Sequence, residues 1–125
     1  MILLDTSMLL DSLTGTRRSA AGLRRAIELG ERIQLPTLVL FEWLRGPRLP
    51  EELEAQEALF PREQSIPFGP REAALAADLY GRVRNPRRRE LDLAIAAYAS
   101  GVDAELWTLN PQDVEGVADL RRHAP

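Results

Sequence analysis

A chain of 125 residues with 45% hydrophobic residues and a net charge of −3 has the length and composition of a single domain, residues 1–125, with one hydrophobic core. The absence of cysteine excludes disulfide bonds and thiolate zinc sites, and because all 16 basic residues are arginine, a phosphate-binding loop and Schiff-base chemistry are excluded as well. No apolar run reaches the ~20 residues of a membrane span and no signal peptide is recognisable, so we expect no membrane association and a cytoplasmic location.

The first stretch of the chain predicts a buried strand that ends at an acid. Residues 1–4 are an unbroken apolar run, which is typical of a strand covered on both faces in a parallel sheet. Asp5 then lies at the carboxyl end of the strand, where open α/β sheets bind their ligands, although an acid here is equally typical of a simple turn. Thr6 or Ser7 is placed to cap the helix predicted over residues 8–13.

Helices and strands alternate along the rest of the chain. We predict helices over residues 20–27, 38–44, 50–60, 70–80 and 87–100, and strands over residues 33–36, 65–68, 104–108 and 118–121. The strand at 65–68 contains proline and is therefore expected at a sheet edge. The alternation predicts an α/β fold, a three-layer α/β/α sandwich with a central parallel sheet of four to five strands.

Three acids stand beside apolar runs. Asp5 ends the first strand, Glu42 interrupts the apolar helix at 38–44, and Asp92 precedes the apolar run at 93–97. Any one of them alone is more typical of a solvated helix face, but acids in apolar surroundings are seldom buried unless they are paired or bind a metal. Their shared setting favours a common site.

A common site of this kind predicts a hard metal ion. Converging carboxylates repel one another and resist ionisation unless a cation lies among them. Oxygen ligands favour Mg²⁺ or Mn²⁺ over zinc, and the single histidine, His123, is expected at the surface rather than as a ligand. A divalent ion can polarise a phosphoryl oxygen and generate hydroxide from water near neutral pH. The residues therefore predict metal-dependent phosphodiester hydrolysis, with Asp5, Glu42 and Asp92 as metal ligands.

These motifs resemble the PIN-domain ribonucleases and, within them, the VapC-type toxins of bacterial and archaeal toxin–antitoxin pairs. The Leu-Asp-Thr-Ser segment at residues 4–7 is similar to the opening motif of the family, Glu42 to its second acid, and residues 92–97 to the motif of its third acid. Residues 108–113 are similar to the last motif, in which a fourth acid often stands. This chain has Asn110 at that position, and either Asp113 or Asn110 itself can take the role.

The resemblance implies a set of site residues and partners. The implied catalytic residues are Asp5, Glu42, Asp92 and Asp113, with Thr6, Ser7 and Asn110 beside them to orient the carboxylates or a bound water. The resemblance also implies Mg²⁺ or Mn²⁺, an RNA substrate, a homodimer and a small cognate antitoxin that blocks the groove. It leaves open whether one metal ion or two is bound. The alternative is a PIN-like domain that has lost activity and serves as an RNA- or protein-binding module.

The densest basic cluster comes directly before Asp92. It offers arginine forks for the phosphates of an RNA strand, with a solvated helix face as the alternative. The candidate RNA-binding residues are Arg84, Arg87, Arg88 and Arg89, with Arg45 near Glu42. Phe41 and Trp43 flank Glu42 and are expected in the core, with base stacking as the alternative.

Overall fold

The computed structural model of the protein describes all 125 residues and contains three β-strands and six α-helices. The strands are β1 (Ile2–Leu4), β2 (Ile33–Gln34) and β3 (Glu105–Trp107). The α-helices are α1 (Thr6–Leu13), α2 (Ala20–Glu28), α3 (Thr37–Arg45), α4 (Pro50–Leu59), α5 (Pro70–Arg82) and α6 (Glu90–Gly101). Short 3₁₀ helices occupy Arg62–Gln64 and Pro111–Val114. None of the helices combines the length and the apolarity that a membrane crossing requires.

The sheet is parallel throughout, with β1 between β2 and β3. Ile2 is paired with Ile33 on one side and with Glu105 on the other. The residues of β1 are at most 1% exposed, and since successive side chains of a strand point to opposite faces, both faces of the sheet are covered. The prediction of an α/β fold around a buried parallel strand is confirmed.

The prediction of four to five strands is wrong. Residues 65–68 contribute a single bridge, between Pro36 and Ile66, because proline in this part of the chain removes donors that a ladder requires. Residues 118–121 form no strand, since Asp119 has a φ of 63°, outside the extended region. The chain pairs with β3 only at one bridge, between Leu106 and Arg122.

Trp43 lies in the core as predicted, but Phe41 does not. Trp43 is fully buried and Trp107 is 4% exposed, whereas Phe41 is 52% exposed. Residues two positions apart on a helix point to different faces, so α3 cannot bury both aromatic side chains that flank Glu42.

Two further features of the fold are the burial of α6 and the contacts that His123 forms with β3. In α6, the residues from Leu93 to Ala99 are all buried, so this helix runs through the centre of the molecule. The expectation that His123 lies at the surface is wrong. Its ring packs 4.6 Å from that of Trp107, and its Nδ1 lies 2.9 Å from Glu105 Oε1. Thus β3 is covered by the chain that follows it.

Candidate active site

Four carboxylates from four different parts of the chain meet at the carboxyl end of the sheet. Asp5 follows β1, Glu42 lies on α3, Asp92 is in the first turn of α6, and Asp113 lies on the 3₁₀ helix after β3. They face one cavity of about 230 Å³. Its polar lining consists of Asp5, Thr6, Ser7, Glu42, Asp92, Asn110 and Asp113. The structure therefore brings together all the acids and neutral polar residues that the sequence indicated.

Asp5 is held by the start of α1. Its Oδ1 accepts a hydrogen bond from the backbone N–H of Met8 at 3.0 Å and another from the Ser7 hydroxyl at 2.7 Å. Asp5 is thus the N-cap of α1, and the expectation that Thr6 or Ser7 caps this helix is wrong, because both residues already lie inside its first turn. Oδ2 accepts no hydrogen bond and remains available to a ligand.

Thr6 joins β1 and α1 to α3. Its hydroxyl donates to Glu42 Oε1 at 2.7 Å, across 36 residues of sequence. The other Glu42 oxygen, Oε2, lies 3.5 Å from Arg45 Nη2, in a pair whose arginine side chain is 55% exposed. The Glu42 carboxylate is therefore oriented by a short hydrogen bond from a hydroxyl group, while its ion pair with Arg45 is long and open to solvent.

Ser7 joins the Asp5 carboxylate to the loop after β3. Besides donating to Asp5, its hydroxyl accepts a hydrogen bond from the backbone N–H of Leu109 at 3.0 Å. Asn110 follows directly, and its carbonyl accepts from the N–H of Asp113 at 2.9 Å. The structure places both Asn110 and Asp113 on the cavity, so the chain keeps a fourth acid there in addition to the amide.

Asp92 is the carboxyl group most affected by this crowding. Burial raises its pKa from 3.8 to about 6, with further contributions from the negative charges of Asp113, Glu42 and Asp5. Arg89 acts in the opposite direction and lowers the pKa of this group. The shift therefore reflects mainly the burial of this carboxyl group, and the three neighbouring carboxylates add to it.

The donor set fits a hydrated divalent cation. No three acidic or histidine side chains are arranged to hold an ion directly. However, Mg²⁺ retains several waters in proteins and is commonly bound through only one or two carboxylates. A cavity of about 230 Å³ with four carboxylates has room for an ion held partly through water, and such an ion would offset the negative charges that contribute to the raised pKa of Asp92.

The arginines of the basic cluster do not share one environment. Arg84, Arg87 and Arg88 are exposed, and their side chains form no ion pair. Arg89 is half-buried, and its guanidinium donates to backbone carbonyls of two segments. The cluster therefore contains three side chains that are free to meet a ligand and one that is already engaged.

The apolar wall of the cavity was not identified as part of the site from the sequence. Leu10, Ile95, Leu106 and Val114 complete the lining and limit the water around the acids. One signal was available, because Ile95 is three residues after Asp92 and so lies on the same face of α6. The other contacts depend on tertiary packing.

The chain matches known proteins over nearly its whole length. The family model described as PIN domain matches residues 2–119. A protein named Ribonuclease VapC19, from Mycobacterium tuberculosis strain H37Rv, is 36% identical over 123 residues, which cover 97% of this chain and 98% of that protein.

Solved structures share the fold at lower sequence identity. The DNA-bound VapBC complex of Salmonella typhimurium contains a chain with a TM-score of 0.75 and 18% identity, covering 98% of this chain and 96% of that one. A toxin–antitoxin complex from Klebsiella pneumoniae contains a chain with a TM-score of 0.72 and 22% identity, covering 96% and 95%.

Proposed function

This chain belongs to the PIN-domain family, and on that premise we propose that it is a ribonuclease toxin of a toxin–antitoxin pair that hydrolyses RNA phosphodiester bonds with Mg²⁺ or Mn²⁺. The observation that carries the proposal is the convergence of Asp5, Glu42, Asp92 and Asp113 on one cavity. The name of the 36% identical relative supports the substrate class. We propose the cytoplasm, with its RNA pool, as the place of action.

The roles of the acids follow from their surroundings. Asp5, Glu42 and Asp92 would hold the ion, directly or through bound water, and the ion when bound supplies positive charge for a phosphoryl oxygen and lowers the pKa of water. Thr6 and Ser7 keep the Glu42 and Asp5 carboxylates oriented, each through a hydrogen bond of 2.7 Å. Asp113 adds a carboxylate that can accept a hydrogen bond or a proton from the attacking water.

Water is the expected nucleophile, and the exposed arginines bind the RNA backbone. The cavity contains no histidine that could activate a serine, and the carboxylate to which the Ser7 hydroxyl donates, Asp5, is one that we assign to the metal ion. Arg84, Arg87 and Arg88 precede α6 and have free guanidinium groups that suit phosphates. Arg45, at the rim near Glu42, can exchange its long ion pair for a phosphate contact.

The test is cleavage of a mixed RNA pool by the purified chain with Mn²⁺, with Mg²⁺ and with chelator. We expect cleavage with either metal, none with chelator, and none by the Asp5→Asn variant. Asp78→Asn is the matched control, because Asp78 forms only an exposed ion pair with Arg82 on α5 and should retain full activity. Cleavage that persists in chelator or in Asp5→Asn would contradict the proposal. RNA binding without cleavage would indicate a binding module, with Asn110 as the first residue to examine.

A second groove lies away from the acids. A largely apolar groove of about 420 Å³ lies between α1, α2 and α4, and its lining includes Leu13, Leu23 and Ile27. We propose that an apolar helix of the small antitoxin occupies it. Ile27, 40% exposed, can be changed to Glu without unfolding the core, and Ile27→Glu should abolish co-purification with the antitoxin. Leu29→Glu is the control, because Leu29 is 68% exposed and does not line the groove.

We also propose a homodimer, supported by apolar side chains that the single chain leaves exposed. Phe41 and Leu44 on α3 are 52% and 39% exposed, and Phe68, directly before α5, is 37% exposed. Light scattering after size-exclusion chromatography should give twice the chain mass, and Phe41→Asp should reduce it to the mass of one chain. A wild-type chain with the mass of a monomer would contradict this part of the proposal.

A further inference from the structure

We propose that Arg89 is a positioning residue whose guanidinium joins the loop after β3 to the loop before α6 and so holds Asp113 at the cavity. The inference rests on the proposed nuclease function, within which it assigns a role to a residue outside the acid cluster. It also separates Arg89 from the other arginines of the same basic cluster.

The guanidinium of Arg89 donates hydrogen bonds to three backbone carbonyls. Nε and Nη2 lie 3.4 Å and 3.3 Å from the Asp113 carbonyl oxygen, and Nη2 lies 2.5 Å from that of Glu115. Nη1 donates to the Arg84 carbonyl at 3.1 Å. One side chain therefore holds the segment that carries Asp113 and the segment that leads into Asp92.

This geometry requires a guanidinium. Arginine presents donors in a rigid planar fork, whereas lysine presents one compact ammonium group that cannot reach carbonyls on both sides with the same geometry. The positive charge of Arg89 also acts on the acids. It lowers the pKa of Asp92, whereas burial and the neighbouring carboxylates raise it. A guanidinium already engaged in this way is not free to bind an RNA phosphate.

The segment held by Arg89 is fixed to the core by Val114, which is 7% exposed, but its backbone also depends on contacts with residues elsewhere in the chain. Asp113 lies on a 3₁₀ helix of four residues, Pro111–Val114, which has no side-chain cap at its N-terminus. Ser7 holds the chain before this helix through Leu109, and Arg89 holds it at Asp113 and Glu115. Because a displacement of about 1 Å can reduce catalysis by ~100-fold, the support on both sides decides whether Asp113 can act.

The first experiment compares Arg89→Lys with Arg25→Lys in steady-state RNA cleavage. We expect Arg89→Lys to lower kcat by up to about tenfold, the loss expected for Asp113→Asn itself, with KM for RNA changed less than about twofold. Arg25→Lys should leave kcat unchanged, because Arg25 is exposed on α2, its side chain forms no hydrogen bond, and it is not one of the proposed RNA-binding residues. If Arg89→Lys does not fold, Arg89→Gln, which keeps an amide donor, replaces it.

A double-mutant cycle with Asp113→Asn tests whether Arg89 acts through Asp113. If it does, Arg89→Lys combined with Asp113→Asn should be no slower than Asp113→Asn alone, within about twofold. Multiplicative losses would overturn the inference. A normal kcat in Arg89→Lys, with a raised KM and a smaller salt dependence of RNA binding, would also overturn it, because that pattern indicates a phosphate contact.

Amide hydrogen exchange tests the inference without any reaction. The backbone N–H groups of Asp113, Glu115 and Val117 are hydrogen-bonded within and just after the 3₁₀ helix. We expect these amides to exchange at least about tenfold faster in Arg89→Lys and at the wild-type rate in Arg25→Lys. Unchanged exchange would overturn the inference even in a protein that cleaves RNA, and faster exchange would support it even if the chain proved not to be a nuclease.

Discussion

Asp5 and Asp113 line the same cavity but are held there by different means. Asp5 sits between a strand and a helix of regular structure, and its carboxylate accepts bonds from residues two and three positions later. Asp113 sits on a short 3₁₀ helix whose supports come from Ser7 and Arg89, both distant in sequence. One acid is positioned by local structure and the other by long-range hydrogen bonds.

This difference predicts how each region responds to change. A residue positioned by local hydrogen bonds stays in place when distant contacts are lost. A residue positioned by side chains from elsewhere moves when any one of them is removed, because the short helix has few backbone bonds of its own to resist. We therefore expect Asp5 to dominate the chemistry and Asp113 to be the more easily disturbed.

The largest expected effect is the loss of the Asp5 carboxylate. Asp5→Asn should lower kcat/KM by at least about a hundredfold, because it removes a ligand charge, whereas Asp113→Asn should lower it by roughly tenfold. Asparagine caps helices about as well as aspartate, so thermal unfolding of Asp5→Asn should match the wild type. Steady-state cleavage and melting curves measure both effects. A greater loss of kcat/KM in Asp113→Asn than in Asp5→Asn would contradict the expectation that Asp5 dominates the chemistry.

The Ser7 hydroxyl contacts both regions, and its removal tests whether they are coupled. Ser7→Ala should lower kcat by about tenfold, because the Asp5 carboxylate loses a donor and the Leu109 N–H loses its acceptor. Stability should fall by about 1 kcal/mol for the lost hydrogen bonds. Ser100→Ala, at an exposed position near the end of α6, is the matched control. If Ser7→Ala retains full activity, the two regions are independent.

Asp92 lines the same cavity as both acids, and its burial beside them makes the stability of the chain depend on pH. Its pKa is about 6 in the folded chain against an ordinary value of 3.8, so the folded chain binds the extra proton between these values. Stability therefore falls as pH rises from about 4 through 6. In metal-free buffer, Asp92→Asn should raise Tm by roughly 2–5 °C at pH 8 and leave it unchanged below pH 4. Asp78→Asn should show no such gain.

The smallest expected effect concerns the exposed arginines. Arg87→Ala should weaken RNA binding by about two- to threefold and reduce the slope of log affinity against log salt by up to ~1, as the loss of one phosphate contact does. Fluorescence anisotropy with a labelled RNA in chelator measures both quantities. An unchanged affinity and slope would leave Arg87 as a solvated residue.

The same difference explains which parts of the site could be read from the sequence. Asp5, Glu42 and Asp92 each stand beside an apolar run of a helix or strand, so the local sequence pattern identifies them as candidates. The choice between Asn110 and Asp113 depends on contacts made by residues far away in sequence, and no local pattern carries that information. The sequence likewise does not distinguish Arg89 from Arg87, because the two are almost adjacent in it. Only the folded chain shows which guanidinium contacts carbonyl groups.

The fold shows the same division. The buried parallel strand at residues 2–4 follows from an unbroken apolar run. The predicted number of strands is too high, because whether a segment pairs at the edge of a sheet depends on its neighbour and not on its composition alone. Phe41 was misplaced for a related reason, since an apolar residue on a helix is buried only if its face meets another element.

The strand order also sets when, during synthesis, the enzyme becomes complete. Ile2 is made first and can pair with Ile33 early, but its other partner, Glu105, follows Asp5, Glu42 and Asp92 along the chain. Asp113 and the loop that Arg89 holds come later still. A nascent chain that has not reached these residues has an open edge on its central strand and an incomplete cavity. The cavity that holds the four acids is therefore incomplete until the last acid has emerged from the ribosome.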